Sequence, residues 1–317
     1  GEDCDVEDVW GYPGNGGYRG RGIIIAILDS GVDLNHPDLV ANLLPAQYHY
    51  DFLYPPFDQG IYGTYQSTGG GGPKYTDDNH GTAVAGVAAG CGNNSIGVTG
   101  VAPEAKLISY RILGGSQYPN LYSSWTATDD NGAALSANNS FIDIKNNSWG
   151  NRSYYNGYDN LETAALQNAR VNGRAGKGTI VVFAAGNELK KAGRSDYHVH
   201  ISDIGTIGVA ALDHTGGQAG YSSPGSSVLV AAPSGNWFPE GPTTTTTDRT
   251  GSSGYNSNAA ENNYADLNYT ASFNGTSSAT PVVSGVVALM LEANPNLKWR
   301  DVQEILLRSA RKNAPSD

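Results

Sequence analysis

Ser277, His80, Asp29 and Asn187 are the residues whose types could do covalent chemistry together. Ser277 lies in Phe273-Asn274-Gly275-Thr276-Ser277-Ser278-Ala279-Thr280-Pro281, just ahead of the apolar stretch 282–291. A hydroxyl at a helix start meets backbone N–H groups without intrahelical partners, and these can stabilise a developing oxyanion. Gly275 and Ala279 leave room for a substrate to approach closely. His80 opens the small-residue run His80-Gly81-Thr82-Ala83-Val84-Ala85-Gly86. An imidazole at a helix N-terminus is disfavoured as the cation, so it is available as a base. Asp29 closes the apolar run Ile23-Ile24-Ile25-Ala26-Ile27-Leu28, and strand ends of this kind are where α/β folds place their sites. Asn187 follows Val181-Val182-Phe183-Ala184-Ala185-Gly186, and a fixed amide at a strand end can donate to an oxyanion. Singly, each has an ordinary reading: a capping aspartate, a surface histidine, an N-cap serine, a turn asparagine.

The elements that must position these residues follow from periodicity. Short, wholly apolar, β-branched runs read as strands buried on both faces of a parallel sheet. They are expected over 23–28, 106–112, 142–147, 179–185, 206–211 and 228–231. Helices are expected between them over 81–89, 126–138, 161–172, 280–293 and 299–310, with Pro281 tolerated in the first turn of its helix. Alternating strands and helices predict an α/β domain of three layers with a mostly parallel central sheet. Residues 51–79 and 234–274, including the five threonines Thr243 to Thr247, read as surface insertions around a site. One sheet needs strands from both sides of these insertions, so 1–317 is expected to form a single domain.

Composition excludes several partners. The formal net charge is −11 with no block of Lys or Arg, which argues against nucleic acid and anionic membranes. No run of eighteen apolar residues occurs, so no membrane span is expected. The glycines of Gly17-Tyr18-Arg19-Gly20-Arg21-Gly22 precede a strand, whereas a dinucleotide-binding fingerprint follows one. Cys4 and Cys91 permit one disulfide from tail to body, worth about 3–5 kcal/mol by loop entropy; the alternative is two thiols. His198 and His200 alternate, but no third zinc ligand is evident nearby, and His36, His49 and His214 read as structural or exposed.

Five segments in order carry a resemblance to the subtilisin-like serine proteases: Asp29-Ser30-Gly31, His80-Gly81-Thr82, Asn147-Ser148-Trp149-Gly150, Ala185-Gly186-Asn187 and Gly275-Thr276-Ser277-Ser278-Ala279-Thr280-Pro281. The chain order Asp, His, Ser is subtilisin's. The resemblance implies a secreted serine endopeptidase with Ser277 as nucleophile, His80 as general acid–base and Asp29 orienting His80. It implies an oxyanion hole from Asn187 and the N–H of Ser277, and an acyl-enzyme intermediate. Ser148, Trp149 and Gly150 match the edge segment that pairs with an extended substrate. Gly186 and Glu188 would border the P1 pocket, and Asp77 would favour a basic P2. The stretch Cys91-Gly92-Asn93-Asn94-Ser95-Ile96-Gly97-Val98 resembles the family's calcium loop: Asn94 would give a side-chain oxygen, Cys91, Ile96 and Val98 carbonyls, and Asp38 a carboxylate.

Within the family the likeness leans toward the kexin and furin branch, through Asn35-His36-Pro37-Asp38-Leu39 and the segment 291–303. That branch implies a longer precursor, with a propeptide acting as chaperone and inhibitor in front and a β-sandwich domain behind. Three of its acidic positions are serines here, Ser30, Ser153 and Ser223, so strict cleavage after paired basic residues is not expected. Asp196 aligns less cleanly as a further acid.

Overall fold

Seven strands, every neighbouring pair parallel, form the central sheet of this computed structural model, in the order β2-β3-β1-β4-β5-β6-β7. The structure describes residues 4–11, 16–53, 70–114, 126–150, 160–237, 241–258 and 263–313. The strands are β1 (Ile24–Asp29), β2 (Tyr50–Asp51), β3 (Lys106–Arg111), β4 (Ile144–Asn147), β5 (Ile180–Ala184), β6 (Thr206–Leu212) and β7 (Val228–Pro233). A short α1 (Val6–Trp10) precedes the sheet. Against one face pack α2 (His80–Ala89), α5 (Thr276–Ala293) and α6 (Trp299–Ser309); α3 (Thr126–Ser136) and α4 (Asn160–Gly176) cover the other.

Strand alternation divides the core. Ile25 and Ile27 of β1 join the α2 and α5 side, while Ala26 and Leu28 join the α3 and α4 side. The chain leaves β1 toward β3 and β2, then returns past β1 to lay down β4 to β7. Strand order therefore reverses beside β1, the place where open α/β sheets bind ligands at the carboxyl ends of their strands. Asp29 ends β1, Ser148 follows β4 and Asn187 follows β5, so all three lie at that rim.

The expected three-layer α/β architecture is present, with corrections in the insertions. The polar tract 234–274 is not mere surface: Thr244–Thr247 forms β8, antiparallel to β9 (Tyr269–Phe273). Thr246 and Thr247 are fully buried because their hydroxyls donate to α2 carbonyls, those of Ala83 at 2.8 Å and Thr82 at 2.7 Å. Gly86 makes that approach possible, since a Cβ there would sit 2.2 Å from Thr247 Oγ1. The α5 helix has 18 residues and mean hydropathy 1.2, enough to cross a membrane by length and composition, but 72% of it is buried in the core.

The expected disulfide is not formed. Cys4 is exposed and lies along a cleft with Val230, Val282 and Leu306. Cys91 is buried beyond the C-terminal end of α2, where its N–H donates to the Asp38 carbonyl, and burial raises its thiol pKa.

Candidate active site

Asp29 is fully buried and its carboxylate is aimed by two contacts. Oδ1 accepts the N–H of Ser30 at 2.7 Å, and His80 Nδ1 lies 2.9 and 3.0 Å from Oδ1 and Oδ2. Burial alone would lower the His80 pKa, but the charge of Asp29 and its hydrogen bond outweigh this, and the net shift is upward from 6.5. The start of α2 is held close by Ser30, whose Oγ accepts the Gly81 N–H at 3.0 Å. Residue 81 must be glycine for that contact, because a Cβ would meet the Gly31 carbonyl at 2.5 Å. Ser30, read from sequence as a missing acid, thus holds His80's neighbour in place. The Phe273 ring stands edge-on to His80 at 5.4 Å.

Ser277 enters the same rim from α5. That helix starts at Thr276, four residues earlier than expected, so Pro281 lies in its second turn and not its first. Proline has no N–H, which leaves the carbonyl of residue 277 without its i+4 donor. Ser148 supplies the replacement: its Oγ donates to the Ser277 carbonyl at 2.9 Å. Behind it, Ser284 Oγ donates to Asn146 Oδ1 at 2.8 Å and Asn146 Nδ2 to Ser148 Oγ at 3.0 Å, joining β4 to α5 through buried groups. The Ser277 hydroxyl itself donates to the Ser148 carbonyl at 2.8 Å.

Asn187 is fixed by a residue beside the serine. Its Oδ1 accepts the N–H of Thr276 at 2.9 Å and the Thr276 hydroxyl at 3.0 Å. The Nδ2 end lies beside Gly275, where an added Cβ would come within 3.3 Å. Gly275 has φ +86°, and its N–H donates to the Tyr221 hydroxyl at 2.9 Å. Thr276, Tyr221, Asn146 and Ser284 escaped the sequence reading; only Thr276, inside a motif already singled out, left a signal there.

A family model for subtilases matches residues 20–317. The chain belongs to the subtilase family. It is 35% identical over 98% of its length to a calcium-dependent protease of Trichormus variabilis, and spans 44% of that protein. It is 33% identical over 100% of its length to kexin of Saccharomyces cerevisiae, spanning 34% of it. The chain thus spans less than half the length of these curated relatives. Among solved structures, the serine protease of Aeromonas sobria in complex with its chaperone superposes with TM-score 0.79 at 26% identity, over 94% of this chain and 52% of that one.

The remaining expected positions of this subtilase divide into those brought together and those turned elsewhere. Trp149, half-buried, packs edge-on against Phe183 at 5.2 Å and lies 5.6 Å from His200, while Gly150 is exposed. Gly186, at φ +104°, joins the rim through its N–H, which donates to Thr276 Oγ1 at 3.2 Å. The Glu188 carboxylate curls back to accept the Asn187 N–H at 2.7 Å. Asp196 is held by Arg194 at 2.9 and 2.8 Å, which lowers its pKa to about 2. Asp77 lies in the turn before His80, whereas Ser153 lies outside the described residues. His198 and His200 stack at 6.0 Å, and burial drops His200 to about pKa 3. No three-residue metal cluster of His, Cys, Asp and Glu occurs among the described residues.

The loop 91–98 does gather on Asp38, which is fully buried. Asp38 Oδ2 accepts the Val98 N–H at 2.8 Å, Oδ1 accepts Asn94 Nδ2 at 2.6 Å, and the Asp38 carbonyl accepts the Cys91 N–H. Ile96 N–H donates to Asn94 Oδ1 at 3.2 Å. Asn93, Ser95 and Gly97 alternate in left-handed backbone, two of them without glycine's freedom, a cost that functional loops often carry. Asp38 thus faces the Asn94 amide nitrogen, where an oxygen was expected; with that amide turned, Asp38 and Asn94 would both offer side-chain oxygen, the donor chemistry that suits a hard cation.

Proposed function

We propose that this subtilase is a serine endopeptidase in which Asp29, His80 and Ser277 act as a catalytic triad. The observation that carries the reading is the contact of His80 Nδ1 with both oxygens of a fully buried Asp29. Such a contact fixes the tautomer that presents the other ring nitrogen as base. Rotation about the Ser277 side chain would take its proton from the Ser148 carbonyl to His80, whose acceptor then removes it as the oxygen attacks the scissile carbonyl. Asn187 Nδ2 and the Ser277 N–H would receive the oxyanion, His80 would protonate the leaving amine, and water would release the acyl group. Ser148, Trp149 and Gly150 would pair with the substrate backbone, and Gly186 and Glu188 would border P1, with Asp77 near P2.

Residues 1–317 form one catalytic domain in this reading, made within a secreted precursor that carries a propeptide and a further β-sandwich domain. Calcium, named in the Trichormus relative, would be held by Asp38, Asn94 and the carbonyls of Cys91, Ile96 and Val98. When bound it would tie loop 91–98 to Asp38 and stiffen the end of α2.

Specificity should be broader than cleavage after paired basic residues. A buried basic P1 needs a desolvated carboxylate. Glu188 is engaged by the Asn187 N–H, and Asp196 by Arg194. A peptide-library digest tests this: cleavage after large apolar or aromatic residues as well as after Lys or Arg is expected. Cleavage confined to Lys-Arg and Arg-Arg pairs would overturn it.

A further inference from the structure

A buried charged cluster lies behind His80 and takes no part in the proposed chemistry. Arg111 ends β3, paired in register with Asp29, and is 2% exposed. Its Nε and Nη2 donate to Asp78 Oδ2 at 3.1 and 3.0 Å, and its Nη1 donates to the two Asp51 oxygens at 3.3 and 3.4 Å. Asp78 is fully buried, and Asp51, closing β2, is 1% exposed and also pairs with Lys74 at 2.5 Å. Asp78 Oδ2 further accepts the N–H groups of Lys74 and Tyr75 at 2.9 and 3.0 Å, closing a turn that ends two residues before His80. The Tyr75 ring lies 5.4 Å from the guanidinium carbon, and Arg249 donates to the Tyr75 carbonyl.

Burying such ions is costly, and well-packed apolar residues often serve stability as well or better. What the cluster does geometrically is fasten the turn that delivers His80 to the strand adjacent to Asp29. Arg111 is suited to this because its planar fork meets two carboxylates at once. Across the start of α2, Ser30 holds Gly81 from the other side. We propose that Arg111, acting through Asp78, is a positioning residue that sets the approach of the His80 imidazole to Asp29. The proposal rests on the triad reading for its consequence in catalysis. The groups facing His80 are Asp29 from β1 and the Phe273 ring ahead of α5, on which Tyr255 packs at 6.0 Å, while Asp78 stands two residues before it in the chain, paired with Arg111.

The test is Arg111→Lys, which keeps the charge and removes the fork. The His80 pKa, read from ring-nitrogen NMR shifts during a pH titration, is expected to fall toward 6.5, because an imidazole held less closely to Asp29 gains less from its charge. In peptide hydrolysis kcat should fall by about 10- to 100-fold with KM changed less than about twofold. A lower melting temperature with an unmoved His80 pKa and unchanged kcat would overturn the proposal and leave Arg111 a structural residue. Asp78→Asn preserves shape and a carbonyl acceptor for the turn, and it should show the same kcat loss at unchanged KM if the lysine variant does not fold. Wild-type kcat in Asp78→Asn would equally overturn it. Failure of the triad reading looks different: no hydrolysis by the wild type, with the NMR shift on Arg111→Lys still present.

Discussion

As the proposed base, His80 is acted on by two opposed influences. Burial disfavours its cation, the buried Asp29 carboxylate favours it, and the second wins, so the pKa lies above 6.5. In the proposed mechanism the neutral ring is the form that would accept the Ser277 proton. Activity should therefore be full well above the raised pKa and fall as pH drops through a midpoint above 6.5. Initial rates measured from about pH 5 to 8 check this, and a level profile would contradict the base role. Asp29 and Asn187 were legible in the sequence because each follows an apolar run, and His80 and Ser277 because each stands at the start of a run of small or apolar residues, positions periodicity locates well. Their supports were not. Ser30 reads as an absent acid, and the Ser148 bond to the Ser277 carbonyl takes the place of a donor that Pro281 lacks one helical turn away, a pairing between residues distant in sequence.

At the scale of elements, α2 owes its place to small residues facing a strand that the sequence disguises. Low-complexity threonine runs carry no strand periodicity, yet β8 is buried because each inward hydroxyl finds an α2 carbonyl. Gly86→Ala should destabilise the fold by about 1–3 kcal/mol, since the new Cβ would meet Thr247 Oγ1 at 2.2 Å and Thr246 Oγ1 at 2.5 Å. Urea unfolding of the variant beside the wild type measures it, and an unchanged midpoint would show that β8 does not pack there. The far end of α2 runs into loop 91–98. If calcium joins that loop to Asp38, adding a chelator should lower the melting temperature, and restoring Ca²⁺ in excess should recover it by mass action. A melting curve indifferent to both additions would show that calcium does not join loop 91–98 to Asp38.

For the whole molecule, the order of apolar runs was enough to foresee a parallel sheet with helices on both faces. It could not show strand order, because register and the return past β1 depend on contacts distant in sequence. That return brings the ends of β1, β4 and β5 to one rim, where α2 and α5 add His80 and Ser277. In the proposed mechanism this assembly would make Ser277 a nucleophile. Reaction with a fluorophosphonate, followed by mass spectrometry of the digested protein, tests it most directly. A single adduct on Ser277, absent from Ser277→Ala and suppressed in His80→Ala while both variants remain folded, is the predicted result. Folded wild-type protein that stays unlabelled, or that carries its adduct on another serine such as Ser278, would contradict a nucleophilic Ser277.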